Sequence, residues 1–137
     1  MDLTYSAEHQ AFRREVLVFL ETHRHAAPKG GGAAQRPSAG AVAWQKLLIA
    51  HGYAARTIPK EYGGAELDAI SFAIVMEEIG RVCSALRSAL SVQTALVGLS
   101  ILRWGNKEQK RRYLPALCRG ELIGCFGLTE ADFGSNP

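Results

Sequence analysis

From Leu86 to Trp104 the chain reads LRSALSVQTALVGLSILRW, and Leu86, Leu90, Val92, Leu96, Val97, Leu99, Ile101, Leu102 and Trp104 leave it almost no polar face. A helix that is apolar nearly all round must be covered on several sides. Nineteen residues give a rod of about 28 Å at 1.5 Å per residue. This stretch therefore predicts a central helix around which the rest of the chain is arranged. No stretch of the chain is read as apolar for long enough to span a bilayer. Trp104, at its end, and Trp44 are expected in the core.

The remaining elements follow from capping and periodicity. Ser6 is the expected N-cap for a helix carrying Phe12, Val16, Phe19 and Leu20 at helical spacing. Pro28 and the run KGGGAAQRPSAG end it in a flexible loop. A second helix is predicted over 41–51, with Trp44, Leu47 and Leu48 inward and Gly52 as its stop. The stretch TIPKEYGGAELD is a punctuated connection. A third helix opens near Asp68 with Phe72, Val75, Met76, Ile79 and Val82 on one face. Asn106 caps a last helix whose KEQKRR run is a solvated face, with Tyr113, Leu114 and Leu117 inward. Pro115 is expected to interrupt that helix and Gly120 to end it.

After Gly120 the texture changes. LIGCFGLT has no helical period, its glycines disfavour a helix, and it reads as the start of a strand. The closing stretch GCFGLTEADFGSNP reads as backbone shaped to lie against something.

Composition narrows the function. The 137 residues suit one domain. A net charge of +3 demands neither nucleic acid nor an anionic membrane as partner. Three cysteines, Cys83, Cys118 and Cys125, form no CxxC pair, so a metal knuckle or disulfide framework is not expected and a reducing cytosol is favoured. His9, His23, His25 and His51 read as surface or helix-end residues. The N-terminus lacks an apolar signal core, and the expectation is a cytoplasmic protein with no membrane span, no nucleic acid and no metal.

The segment YLPALCRGELIGCFGLTEADFGSNP resembles the join between the N-terminal helical domain and the middle β-domain of flavin-dependent acyl-CoA dehydrogenases. PKEYGG matches that family's loop before its third helix, and the helix order agrees. Within the family, RSALSVQTAL is similar to the stretch where the glutaryl-CoA dehydrogenase branch sets an Arg-Ser pair beside a distal carboxylate. Biosynthetic relatives that act on carrier-protein thioesters share much of the pattern. The resemblance implies an all-α fold. Residues 1–120 would be the N-terminal helical domain, and 121–137 the first strand of a β-domain otherwise missing from this sequence.

The implied reaction removes an α-proton from an acyl thioester while a hydride leaves the β-carbon for FAD. Phe126, Gly127, Leu128, Thr129, Gly134 and Ser135 would face that cofactor. Glycines at 127 and 134 would let backbone approach a flat ring or phosphate closely. Arg87, Ser88 and Ser135 would meet the substrate, an acyl-CoA, such as a dicarboxyl glutaryl group, or an acyl carrier-protein thioester. A guanidinium is a forked, permanently charged partner for a carboxylate. Electrons would pass to an electron-transfer flavoprotein or oxygen, and the complete enzyme would be a homo-oligomer.

The family's catalytic glutamate belongs to a C-terminal helical domain, so no catalytic residue is assigned here and the chain is expected to be inactive alone. Ala131, Phe133 and Asn136 depart from the family's usual proline, small residue and aspartate, which puts normal flavin binding in question. Read without the resemblance, the closing stretch is equally a ligand-free connection between two domains, Arg87 a surface arginine, and the chain a helical interaction module or half of a split enzyme.

Overall fold

The computed structural model describes residues 4–28 and 39–135, and these form an all-helical domain. Its elements are α1 (Ala7–His23), α2 (Ala39–Ala50), α3 (Ala69–Val82), α4 (Ser84–Ser91), α5 (Leu99–Trp104) and α6 (Lys107–Cys118). Single 3₁₀ turns lie at Arg24–Ala26 and Lys60–Tyr62. A π-helical stretch, Val92–Gly98, joins α4 to α5 without a break. Most of the loop expected between α1 and α2, and Asn136, lie outside the described residues.

The capping residues act as their chemistry dictates. The Ser6 hydroxyl accepts from the His9 N–H, and the Asp68 carboxylate accepts from Ile70 and Ser71. Asn106 and Gln109 form a reciprocal capping box. Hydrogen bonding to the Ser71 N–H, with a further bond from His9, holds the Asp68 carboxyl below its usual pKa. Gly52 and Gly120 take left-handed φ values just past their helices.

α1 packs on α3, and α3 on α4. Between them lies a core of Val16, Phe19, Leu20, Trp44, Leu48, Tyr53, Ile74, Val75, Ile79, Leu86 and Leu90. The Phe19 ring meets Tyr53 edge-on at 4.9 Å and Trp44 at 6.0 Å. A second small cluster sets Ala55, Ile58 and Cys118 against Tyr62 and Leu102. Burial pushes the Cys118 thiol pKa up, as expected for a structural rather than reactive cysteine.

Several expectations are corrected. The inner face of α3 is Ser71, Ile74, Val75, Glu78 and Ile79, so Phe72 and Met76 are only half-buried and Val82 is exposed. Glu78 can enter the core because Arg13 Nε donates to it at 2.6 Å and Arg81 Nε lies 3.4 Å away. Ser71 can do so because its hydroxyl donates to the Asp68 carbonyl at 2.8 Å. A buried polar group is tolerated once its bonds are made.

Pro115 sits inside α6 and does not interrupt it. Trp104 is 79% exposed and not part of the core; Leu96 and Leu99 are exposed as well. The segment 123–130 pairs with no strand among the described residues. An isolated strand has nowhere to place its ladder bonds.

The helix Ser84–Trp104, at 21 residues, is long and apolar enough to cross a membrane by length and composition, contrary to the sequence reading. Within this domain 28% of its apolar window is buried, with Gln93, Thr94 and Gly98 among the buried residues of its π-helical stretch.

Candidate functional site

The site is built where α6 hands the chain back across the central helix. Past Cys118 the amides of Glu121 and Leu122 both donate to the Ala116 carbonyl. Arg119 grips Glu121 in a two-pronged ion pair, Nε to Oε1 at 2.7 Å and Nη2 to Oε2 at 2.9 Å. That pair draws the exposed Glu121 carboxyl below its usual pKa.

Leu122 and Gly124 then meet Gln93. Its Nε2 donates to the Leu122 carbonyl at 2.6 Å, and its Oε1 accepts from the Gly124 N–H at 2.7 Å. Gly124 has to be glycine, since a Cβ there would lie 2.7 Å from Val97 Cγ1 and 2.8 Å from Cγ2. At Gly124 the backbone thus lies close against Val97 of the π-helical stretch.

Beyond this anchor the chain is open. Phe126, Gly127, Leu128, Thr129, Gly134 and Ser135 are all exposed, along one continuous segment. Glu130 and Phe133 exchange backbone hydrogen bonds at 2.9 and 3.4 Å, so a turn forms around Ala131 without the proline expected there. Phe133 stands half-exposed at its corner.

The segment leaves room for a ligand. An added Cβ at Gly127 or Gly134 would meet nothing of the chain within 4 Å, and neither φ is left-handed. Neither internal crowding nor backbone strain requires glycine there. What their absence of side chain provides is open main chain that a ligand can approach, beside the half-exposed apolar side chains of Phe126 and Leu128.

Arg87 and Ser88 are neighbours on α4, and both are exposed. Ser88, Ala89, Val92 and Gln93 line a groove whose other wall includes Ile123 and Gly124, so Ser88 stands at the root of the open segment. The Ser88 hydroxyl donates to the Ser84 carbonyl at 3.1 Å and keeps its lone pairs free. Arg87 is not part of that groove. Its stem crosses α3, with Cδ 3.0 Å from where a Gly80 Cβ would be, and it makes no ion pair among the described residues. Among the described residues Ser135 lines no part of that groove.

Sequence reasoning overlooked Gln93. Its signal was a lone amide within an apolar helix, which periodicity treats as noise.

Fold and site define an all-α domain whose long central helix anchors an open segment at its flank. Residues 6–121 match the family description "Acyl-CoA dehydrogenase, N-terminal domain", and the chain belongs to that family. It is 41% identical over 91 residues to an acyl-CoA dehydrogenase of Bacillus subtilis, covering 66% of this chain and 24% of that protein. A crystal structure of a glutaryl-CoA dehydrogenase from Mycobacterium smegmatis in complex with FADH2 superposes with a TM-score of 0.77 at 31% identity. That match covers 96% of this chain and 33% of the other. The prolyl acyl carrier protein oxidase AnaB superposes with a TM-score of 0.66 at 26% identity, over 88% of this chain and 32% of its own. The chain thus spans about a quarter of that curated relative and a third of the solved structures.

Proposed function

We propose that this chain forms the N-terminal helical part of a flavin-dependent acyl thioester dehydrogenase, with FAD held in part by residues 126–135. The observation that carries the reading is the open, glycine-spaced segment fixed to the central helix of a domain of this family. FAD, when bound, supplies the hydride acceptor for α,β-oxidation of the thioester. The chain's own part is to bind and orient. Backbone around Gly127 and Gly134 gives close approach, Phe126 and Leu128 give apolar cover, and the Thr129 and Ser135 hydroxyls can donate to cofactor oxygens. Kinship with both a glutaryl-CoA dehydrogenase and a carrier-protein oxidase supports an acyl thioester, as acyl-CoA or on a carrier protein. An electron-transfer flavoprotein or oxygen as onward acceptor, and homo-oligomeric assembly, belong to the same reading.

The test is the visible absorption of the full-length gene product after addition of FAD and gel filtration. Retained flavin bands are expected. A well-folded helical protein that emerges colourless would overturn the proposal.

The Arg-Ser pair carries the substrate side. Arg87 makes no ion pair among the described residues and directly precedes Ser88, which lines the groove. A charge-assisted bond to a distal carboxylate is worth about 1.5–3 kcal/mol. Arg87→Ala in the full-length enzyme is therefore expected to lower kcat/KM for a glutaryl-type thioester at least about tenfold more than for a butyryl-type one. Equal losses on the two substrates would remove Arg87 from the substrate site.

A further inference from the structure

We propose that Gln93 is a positioning residue for the flavin-facing segment: its buried carboxamide takes the place of a neighbouring β-strand and fixes where residues 126–135 leave the helical domain. The inference rests on the flavin reading above and adds to it the device that sets the segment's register.

A glutamine carboxamide is chemically a peptide group on a tether. Here it donates to the carbonyl of Leu122 and accepts from the N–H of Gly124, two positions on, which is how one residue of a parallel strand serves its neighbour. Gln93 is 6% exposed and its two bonds are part-buried, so competing water is partly kept from them. Val97 packs where a Gly124 side chain would be and sets the depth of the contact. No other side chain among the described residues hydrogen-bonds the segment from Leu122 to Ser135. The position fixed at 122–124 is therefore passed on to Phe126 and the residues after it. A segment held in place before the cofactor arrives need not be ordered at binding, and that saving appears as affinity.

The test uses the full-length protein with FAD as probe, in three variants. Gln93→Met removes both bonds at similar length, Gln93→Glu keeps only the acceptor, and Gly124→Ala attacks the contact from the other side. In Gln93→Met the Gly124 amide is expected to lose hydrogen-exchange protection. FAD should bind about tenfold more weakly, and the bound flavin's absorption maximum and midpoint potential should shift, with the helical circular dichroism unchanged. Gln93→Glu should fall between this variant and the parent. If the parent fails to bind FAD, the flavin reading falls while Gly124 exchange still reports on the clip. If the parent binds and Gln93→Met matches it in affinity, spectrum and potential, the positioning role is overturned. Unchanged Gly124 exchange would overturn the clip itself.

Discussion

Gly64→Ala is expected to destabilise the domain by about 3 kcal/mol or more, at the upper end of what overpacking costs. A Cβ at this position would lie 1.9 Å from the Ile58 carbonyl oxygen and 2.4 Å from its carbon. The obstacle is main chain and cannot rotate aside. It cannot readily shift either, because the loop is cross-tied. Gly64 donates to Pro59, Ala65 to Ala55, Glu66 to Ile58 and Leu67 to Arg56, the last at 2.7 Å. Both Ala55 and Glu66 are held at a left-handed φ of 53°, which already taxes the loop. The adjacent Gly63 gives the control. Its φ is +85°, and a Cβ there meets only Cys118 Cβ at an ordinary 3.7 Å, so Gly63→Ala should cost only about 1–2 kcal/mol. Urea unfolding of both variants measures the difference. Equal losses would show that the loop can slide past Ile58.

Arg13→Met is the second large effect, at about 3 kcal/mol. Glu78 is 2% exposed, and its shortest partner is Arg13 Nε at 2.6 Å. Arg81 remains, but at 3.4 Å and already engaged with Glu77 at 2.7 Å. Methionine preserves the stem's packing between α1 and α3 while leaving a buried carboxylate short of its main donor. The double variant Arg13→Met/Glu78→Met should recover much of the loss, because an apolar pair of similar volume has no charge to desolvate. A thermal or urea series checks this. If the double variant is no better than the single one, the ion pair is stabilising in its own right rather than an unavoidable companion of a buried charge.

The elements legible in the sequence were those announced by local chemistry. Ser6, Asp68 and Asn106 start helices because a short polar side chain next to unsatisfied amides has little else to bond. Gly52 and Gly120 stop them for reasons of φ. The family was legible too, from the glycine-rich stretch that follows α6. Tertiary pairing was not. Polarity alone gives no reason to place Glu78 or Ser71 on the inner face, and it is Arg13, 65 residues away in another helix, with Arg81 beside it, that makes the burial of Glu78 possible. Gln93 escaped for the same reason, since its partners lie 29 and 31 residues downstream. The strand expected after Gly120 does not form among the described residues; a side chain, that of Gln93, meets the backbone there instead.

The π-helical stretch also resets the phase of the longest helix. On an ideal α-helix Trp104 would fall five turns after Leu86 and on the same face, since eighteen residues at 3.6 per turn complete five turns. A π turn takes up one additional residue, and everything beyond it is rotated by about 100°. Trp104 is carried off the core face, while Gly98 and Leu102 are turned towards the second cluster around Ile58. The upstream half can therefore hold α3 while the downstream half is aimed separately at Ile58 and Cys118, so one continuous helical run serves two packing directions.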